Sequence, residues 1–598
     1  MKPADSTLNR TGGQPPNDQR QASSSIASVA VPPAPAHPQG APASRSGGQL
    51  IVDALKVHGV DMAFGVPGES YLSVLDALYE SRDDIKFVTC RQEGGASNMA
   101  EAYGKLTGRP GICFVTRGPG ATNASIGIHT AFQDSTPLIL FIGQIDSEYT
   151  ERESFQEIDY RRMYGQMAKW VAQIDRADRV PEMVSHAFHL AVSGRPGPVV
   201  LALPEDMQTA MASVPDTARY QRVAAHPGAD DMLKLRDMLA HAQRPFVMVG
   251  GGGWNKKAGD DMQAFAEANA LPVACTYRCQ DLFDNRHPNY VGDVAVGMNP
   301  AMEQRIRNAD LLVAVGPRLG EWTTINYTLI DIPRPKQKFV HIHTGVEELG
   351  RVYQADLLIN SGMPEFTAAL RALAPVKASW ADATKTARAE YEAWQKPVNV
   401  PGTLNMSEII LYLRKRLPPE SILTNGAGNF TLWPHRFYQY TGFRTQLGPT
   451  SGAMGYGVPA GVAAKLVHPD RPVITFAGDG DFLMNGQELA TAAQYGAKVI
   501  FLVINNGTYG TIRMHQEKHY PGRVSGTTLV NPDFAALARA YGLHGEIVEK
   551  TADFEAAFER AWNAKTAALL ELRIDQDAIS PRTTLSAIRA EAFKNQKS

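Results

Sequence analysis

The stretch Val473-Ile-Thr-Phe-Ala-Gly-Asp-Gly480, followed after twenty-four residues (481–504) by Asn505-Asn506, decides how this chain folds. Residues 473–477 form an apolar run of strand length that stops at a Gly-Asp-Gly turn. The pattern predicts a helix over about 487–495 and a second apolar strand, 499–504, that delivers the two asparagines. Strands that are apolar throughout and alternate with helices belong to a parallel sheet covered on both faces. Both turns then lie at the carboxyl ends of parallel strands, where open α/β sheets bind their ligands. Gly478 and Gly480 let backbone amides approach a phosphate closely. Asp479 and Asn506 offer hard oxygen donors of the kind Mg²⁺ takes together with phosphate and water. A lone Gly-Asp-Gly is ordinarily just a turn. Here the strand, helix, strand and asparagine pair at a set interval give it meaning.

Outward from that stretch the same alternation recurs. In the first part of the chain, strands are expected at 62–66, 85–89, 111–116, 138–142 and 199–203, with helices at 49–58, 93–107 and 122–133. A Pro/Ala-bearing segment at 214–227 reads as a linker. A second unit has strands at 245–249, 311–315 and 339–343, and the segment 374–401, charged, helical and then Pro-containing, reads as another linker. The fold class expected is therefore α/β, with three consecutive doubly wound domains at 47–213, 228–374 and 402–580. Residues 1–46 are a Pro/Ala/Ser/Gln mixture, expected to be a disordered tail, and 581–598 are expected to be a C-terminal tail.

The composition narrows the function classes. Hydrophobic residues make up 44% and charged residues 20% of 598, and the net charge is −2. That balance offers nucleic acid or an anionic membrane no attraction, and no apolar run approaches the roughly 18 residues a membrane span needs. The N-terminal segment lacks a secretory core and carries Asp5 and Asp18, which transit peptides avoid. Four cysteines are too few for a disulfide framework and suit a cytoplasmic protein. Cys275 and Cys279 have no second Cys/His pair at zinc-ligand spacing.

Taken together, the Gly478-Asp479-Gly480 to Asn505-Asn506 pattern resembles the signature of thiamine-diphosphate enzymes. The resemblance implies thiamine diphosphate and Mg²⁺ as cofactors, with metal ligands Asp479, Asn506 and the Thr508 carbonyl. It names the three domains as pyrimidine-binding, central and diphosphate-binding. It also requires a glutamate that opens a helix in the first domain, which Glu93 in Arg91-Gln-Glu-Gly-Gly supplies. Its carboxyl group would hydrogen-bond the cofactor's N1′ and favour the imino tautomer that activates C2. By position alone Glu93 would be read as a helix-start acid favoured by the dipole. Glu101, in the same helix, reads as a solvated or paired charge. The carbonyl of Gly452 and the thioether of Met454, in Thr450-Ser-Gly-Ala-Met454, are implied at the aminopyrimidine and beneath the bent cofactor. Asn429, Phe430, Gly478, Gly480 and Asp481 are implied on the diphosphate side, and Gln156 and Glu69 among the catalytic groups.

The resemblance is nearest to the acetolactate synthase catalytic subunit. It is carried by Gly118-Pro-Gly-Ala-Thr-Asn123, Asp134-Ser-Thr-Pro137, Arg195-Pro-Gly-Pro198 and Met454-Gly-Tyr-Gly-Val-Pro-Ala460. It implies a carboligase that decarboxylates a 2-oxo acid such as pyruvate and joins the resulting enamine to a second carbonyl. It also implies a homodimer or homotetramer with active sites between subunits, small-molecule 2-oxo acid substrates, and no nucleic-acid or membrane partner. A regulatory subunit is left open. Three positions depart from the pattern, and a fourth site argues against a simple decarboxylase. Glu69 stands where synthases carry a small residue, and Glu205 where they carry lysine. His515 stands where biosynthetic synthases carry a tryptophan that favours 2-oxobutanoate. Phe155-Gln156 occupies the region where simple decarboxylases use paired histidines. Gly250-Gly-Gly-Gly253, Gly316-Pro-Arg318 and Arg195 are compatible with FAD within an otherwise degraded flavin signature, so FAD is left open. Two other readings stand beside the carboligase: a decarboxylase or C–C lyase for another 2-oxo acid, dione or acyl substrate, and a non-catalytic cofactor-binding subunit. Acetoin or acetolactate made from pyruvate separates the first two. The presence of Glu93, Asp479 and Asn506 together speaks against the third.

Overall fold

Three six-stranded sheets carry the chain, and within each sheet neighbouring strands are parallel. The structure, a computed structural model, describes residues 42–596. The first sheet runs Lys86–Thr89, Met62–Gly65, Gly111–Val115, Leu138–Gln144, Pro198–Pro204, Trp170–Gln173 from edge to edge. The third runs Gln446–Leu447, Ile422–Asn425, Val473–Gly478, Ile500–Asn505, Ala568–Arg573, His544–Val548. Numbered along the chain, both sheets have the order 2-1-3-4-6-5. The middle sheet runs Tyr290–Val294, Val273–Thr276, Pro245–Val249, Leu311–Val315, Lys338–His343, Leu357–Asn360, an order of 3-2-1-4-5-6. These are the three consecutive doubly wound α/β domains that the sequence pattern predicts.

Topology positions the site. In the first and third sheets the winding direction reverses between strands 1 and 3, which opens a crevice at their carboxyl ends. In the third sheet that crevice lies past Ile422–Asn425 and Val473–Gly478, so it receives Gly426 and Asp479. In the first it lies past Met62–Gly65 and Gly111–Val115, so it receives Glu69 and Arg117, with Glu93 one strand away.

One apolar cluster joins the first and third domains through the helices Glu93–Thr107 and Gly457–Val467. Twelve of the fifteen residues of Glu93–Thr107 are buried, so this helix shows no polar face. Its many glycines and alanines allow that packing: a Cβ on Gly104 would come within 2.5 Å of the Pro137 carbonyl. The Gln92 side chain caps the helix by accepting from the Gly95 amide, and Gly108, at φ 72°, ends it.

Several expectations need correction. The segment 581–598 is not merely a tail, because Leu585–Asn595 is a helix packed on Gly510–His519. Its Arg589 guanidinium donates to both oxygens of buried Glu517, at 2.7 and 2.8 Å. Arg45–Ser46 does not belong to a disordered tail; it pairs antiparallel with Met211–Ala212, and Arg45 bridges Asp53 and Asp216. The expectation for 1–41 lies outside the described residues. The segment 374–401 is helical as expected, over Ala381–Trp394, but it is not a free linker, because Tyr391 and the preceding Trp380 are buried in the central core. The helix expected from 487 begins much earlier, as Asp479–Asn485, and resumes at Leu489–Tyr495 after a 3-10 turn. No helix among the described residues is long and apolar enough to cross a membrane.

Candidate active site

The diphosphate half is built around Asp479. Parallel register sets Gly478 opposite Ile504, which brings the Gly-Asp-Gly turn beside the turn that follows Ile500–Asn505. Asp479 Oδ1 accepts from the Gly480 amide at 3.0 Å. Its Oδ2 accepts from the Gly507 amide at 2.9 Å and from Asn531 Nδ2 at 2.7 Å. Gly507, at φ 66°, lies between Asn506 and Thr508, so all three expected metal-ligating residues meet at one place. Asn506 Oδ1 accepts from the Thr508 amide at 3.1 Å. Burial pushes the Asp479 carboxyl up, opposed by Asn531 and the neighbouring amides. A bound cation would reverse that balance.

The other residues of this half divide into two kinds. Asp481 is buried, accepts from Gly455 N at 2.8 Å and Ala427 N at 3.2 Å, and leaves Oδ2 unpartnered. Burial pushes its carboxyl up to about 7. Asn429 is bound to Thr511 through both its amide nitrogen and Oδ1, and Asn429 Nδ2 reaches the Met514 sulfur. Phe430 is buried beneath the turn, where a Cβ on Gly478 would lie 2.9 Å from its ring. On Gly480 a Cβ would lie 2.4 Å from the Tyr509 ring, so both glycines are sterically required. Gly452 is exposed at φ 70° with nothing within 4 Å of its Cβ position, and Met454 is partly exposed nearby. An open glycine, a partly exposed thioether, an unpaired buried carboxylate oxygen and the hard oxygens of Asp479 and Asn506 on adjoining turns fit a Mg²⁺–diphosphate group.

In the first domain, Glu93 opens its helix, and Glu93 Oε2 accepts from Asn123 Nδ2 at 3.0 Å. Glu69 is ion-paired to Arg117 at 3.0 Å, and the same guanidinium meets Glu205 at 2.9 Å. Gln156, at φ 67°, accepts through its backbone carbonyl from the Gly118 amide, while its side-chain amide has no hydrogen-bond partner among the described residues. His515 is exposed on the helix Gly510–His519 and stacks on His519.

Among the described residues, no hydrogen bond or ion pair connects the Glu93, Glu69 and Gln156 group to the Asp479 group. The domains are instead bound together by other residues. Buried Glu488 accepts from the Arg91 and Gln92 amides at 3.0 and 3.1 Å, directly ahead of Glu93. Glu101 is fully buried between Thr136 and Tyr456 and beside Lys105, so it is a paired charge and not a solvated one. The pairs Asn123–Glu93, Glu488–Arg91 and Asn531–Asp479 were missed by sequence reasoning, because their partners are 30 to 397 residues apart.

Comparison with known proteins places this geometry. "Thiamine pyrophosphate enzyme, N-terminal TPP binding domain" matches residues 45–163, the corresponding central domain matches 232–370, and the C-terminal TPP binding domain matches 426–572. The acetolactate synthase isozyme 2 large subunit of Escherichia coli (strain K12) is 31% identical over 538 residues, covering 89% of this chain and 96% of the relative. The acetolactate synthase large subunit of Corynebacterium glutamicum is 32% identical over 542 residues, covering 87% and 85%. The mitochondrial acetolactate synthase catalytic subunit of Saccharomyces cerevisiae is 29% identical over 560 residues, covering 89% and 81%.

Proposed function

Because this chain belongs to the thiamine pyrophosphate enzymes, among relatives of acetolactate synthase type, we propose that it is a carboligase that decarboxylates a 2-oxo acid such as pyruvate and joins the two-carbon unit to a second carbonyl. The observation that carries this reading is the convergence of Asp479, Asn506 and Thr508 around Gly507 at the sheet's switch point. Thiamine diphosphate, when bound, supplies the carbanion-stabilising centre that carbon–carbon cleavage and formation require.

The chain's own residues do the rest. Asp479, the Asn506 side chain and the Thr508 carbonyl would hold Mg²⁺, and Gly478 and Gly480 would let backbone amides reach the diphosphate. The open Gly452 would offer its carbonyl to the cofactor's amino group, and Met454 would support the bend. Asp481 fixes the Ala427 and Gly455 amides, and with them the loops that carry Asn429, Phe430, Gly452 and Met454. Glu93 would hold a proton at N1′, its carboxylate oriented by Asn123. The free amide of Gln156 is available to a substrate oxygen. Glu69 and Glu205, shared by Arg117, form a charged cluster that we place at the substrate entrance. The two half-sites lie in different domains with no hydrogen bond or ion pair between them among the described residues, which supports a homodimer in which the partner subunit completes each site.

The cavity between the three domains, about 690 Å³ and bordered by Gly251–Gly253, Pro317 and Arg318, is the place we assign to FAD if one is bound. Gly253 leaves open backbone there. Arg195 and Arg318, however, are both drawn to Glu348, so flavin phosphates would have to compete with that carboxylate. Flavin absorbance of the purified protein decides the point. Carbon dioxide release from a panel of 2-oxo acids, measured with and without thiamine diphosphate and Mg²⁺, tests the main proposal. Cofactor-dependent release supports it, and no release from any 2-oxo acid refutes it.

A further inference from the structure

Arg278 follows the central strand Val273–Thr276, yet its guanidinium works in the third domain. It is only 6% exposed. One terminal nitrogen donates to the Pro449 carbonyl and the other to the Gly426 carbonyl, at 2.8 Å for the latter. Pro449 begins the loop that carries Gly452 and Met454, and Gly426 begins the loop that carries Asn429 and Phe430. The backbone of Arg278 is left-handed, at φ 58°, a conformation that residues with a side chain rarely adopt. Its stem is also closely seated, since a Cβ on Gly448 would fall 3.0 Å from Arg278 Cδ.

Neither carbonyl depends on Arg278 alone. The Gly426 carbonyl also accepts from Asn425 Nδ2 at 2.8 Å, and the Pro449 carbonyl from the Gly452 amide at 3.0 Å. Removing the guanidinium therefore leaves no buried carbonyl unsatisfied; it removes the bridge between the loops. On the other side Asp481 collects the Ala427 and Gly455 amides from the same two loops. A cation gathers carbonyls and an anion gathers amides, and the spacing of the loops is set between them. A planar guanidinium with its donors in a fixed fork can fix two acceptors at once, which a flexible ammonium does less well.

We propose that Arg278 is a positioning residue for the cofactor: delivered from the central domain, it sets the distance between the 426–430 and 449–456 loops. This rests on the reading of those loops as the thiamine diphosphate cradle. In cofactor-free protein, Arg278→Ala should speed backbone hydrogen exchange in both loops while the strands of the third sheet keep their protection. Thiamine diphosphate with Mg²⁺ should bind about tenfold or more weakly by calorimetry, in line with the loss of charge-assisted hydrogen bonds. Turnover at saturating cofactor should stay near the parent value, and Arg278→Lys should fall between the two. Unchanged exchange in either loop, or unchanged affinity beside a parent that binds normally, overturns the proposal. A parent that does not bind thiamine diphosphate overturns the cradle reading, and the proposal falls with it. If Arg278→Ala does not fold, Arg278→Lys decides, and parent-like cofactor affinity in that variant overturns the proposal.

Discussion

Complementation between two inactive variants tests the assembly of the site. Glu93→Gln keeps the side chain's shape, and the Asn123 amide, now 3.0 Å from Oε2, can turn to meet the new amide, so the helix start is undisturbed. What is lost is the charge that holds a proton at N1′, and such a group is worth about 10²–10⁴-fold in rate. Asp479→Ala removes the carboxylate that gathers Gly507 and Asn531, and Asp481, two residues on, has its Oδ1 committed to two amides. Each variant alone should therefore be nearly inactive. In a dimer that shares its sites, a mixed pair places both defects in one site and leaves the other with parental Glu93 and Asp479. Random exchange makes about half the dimers mixed, so about a quarter of parental activity should return under isologous symmetry. The assay is carbon dioxide release after the two variants are mixed and subunit exchange is confirmed by native mass spectrometry. No recovery in exchanged dimers, or near-parental activity in either variant alone, would refute the shared site.

Asp479→Ala should fold normally but lose Mg²⁺-dependent thiamine diphosphate binding, which calorimetry with Mg²⁺ as the sole metal will detect. With histidine at position 515 in place of a broad aromatic surface, the enzyme should prefer 2-oxobutanoate over pyruvate as acceptor only weakly. The discrimination given up is about 1–3 kcal/mol, and a competition assay measures it. The Arg589 hydrogen bond holds the Glu517 carboxyl down at about 2. A depressed carboxyl stabilises above its unfolded value and loses that contribution as pH falls through its folded value. The attachment of Leu585–Asn595 should therefore persist at pH 5 and weaken between about pH 4 and 2, as hydrogen exchange will follow. In Glu517→Gln that helix should already exchange faster at neutral pH.

Of the two strands that flank the crevice of the third sheet, Val473–Gly478 was legible because it is apolar throughout, whereas Ile422–Asn425, four residues ending in Thr-Asn, was not expected. Continuous burial of Leu138–Gln144 and Val473–Gly478 leaves the sequence no polar alternation to misread. Of the edge strands of these two sheets, Lys86–Thr89 was expected, but Trp170–Gln173, Gln446–Leu447 and His544–Val548 were not: they are short, and two of them are half-exposed. The helix Asp479–Asn485 was hidden because Gly-Asp-Gly-Asp looks like turn sequence, although Asp479 and Asp481 in a first turn also suit a helix start. The proposed ligands Asp479 and Asn506 stood out by their residue type and spacing, and Thr508 was implied by the family resemblance. The clamp at Arg278 could not be read, since its acceptors lie 148 and 171 residues away and no local pattern encodes such a meeting. Glu69 shows the same limit from another side. Its departure from the family pattern was visible, but its pairing with Arg117, which Glu205 shares, was not.

The most direct test of carboligation is the product formed from pyruvate alone by the purified protein with thiamine diphosphate and Mg²⁺. Isotope-labelled pyruvate followed by mass spectrometry should show acetolactate, carrying label from two pyruvate molecules, as the main product. Acetaldehyde as the only product, from pyruvate and from every other 2-oxo acid that is consumed, would contradict the account.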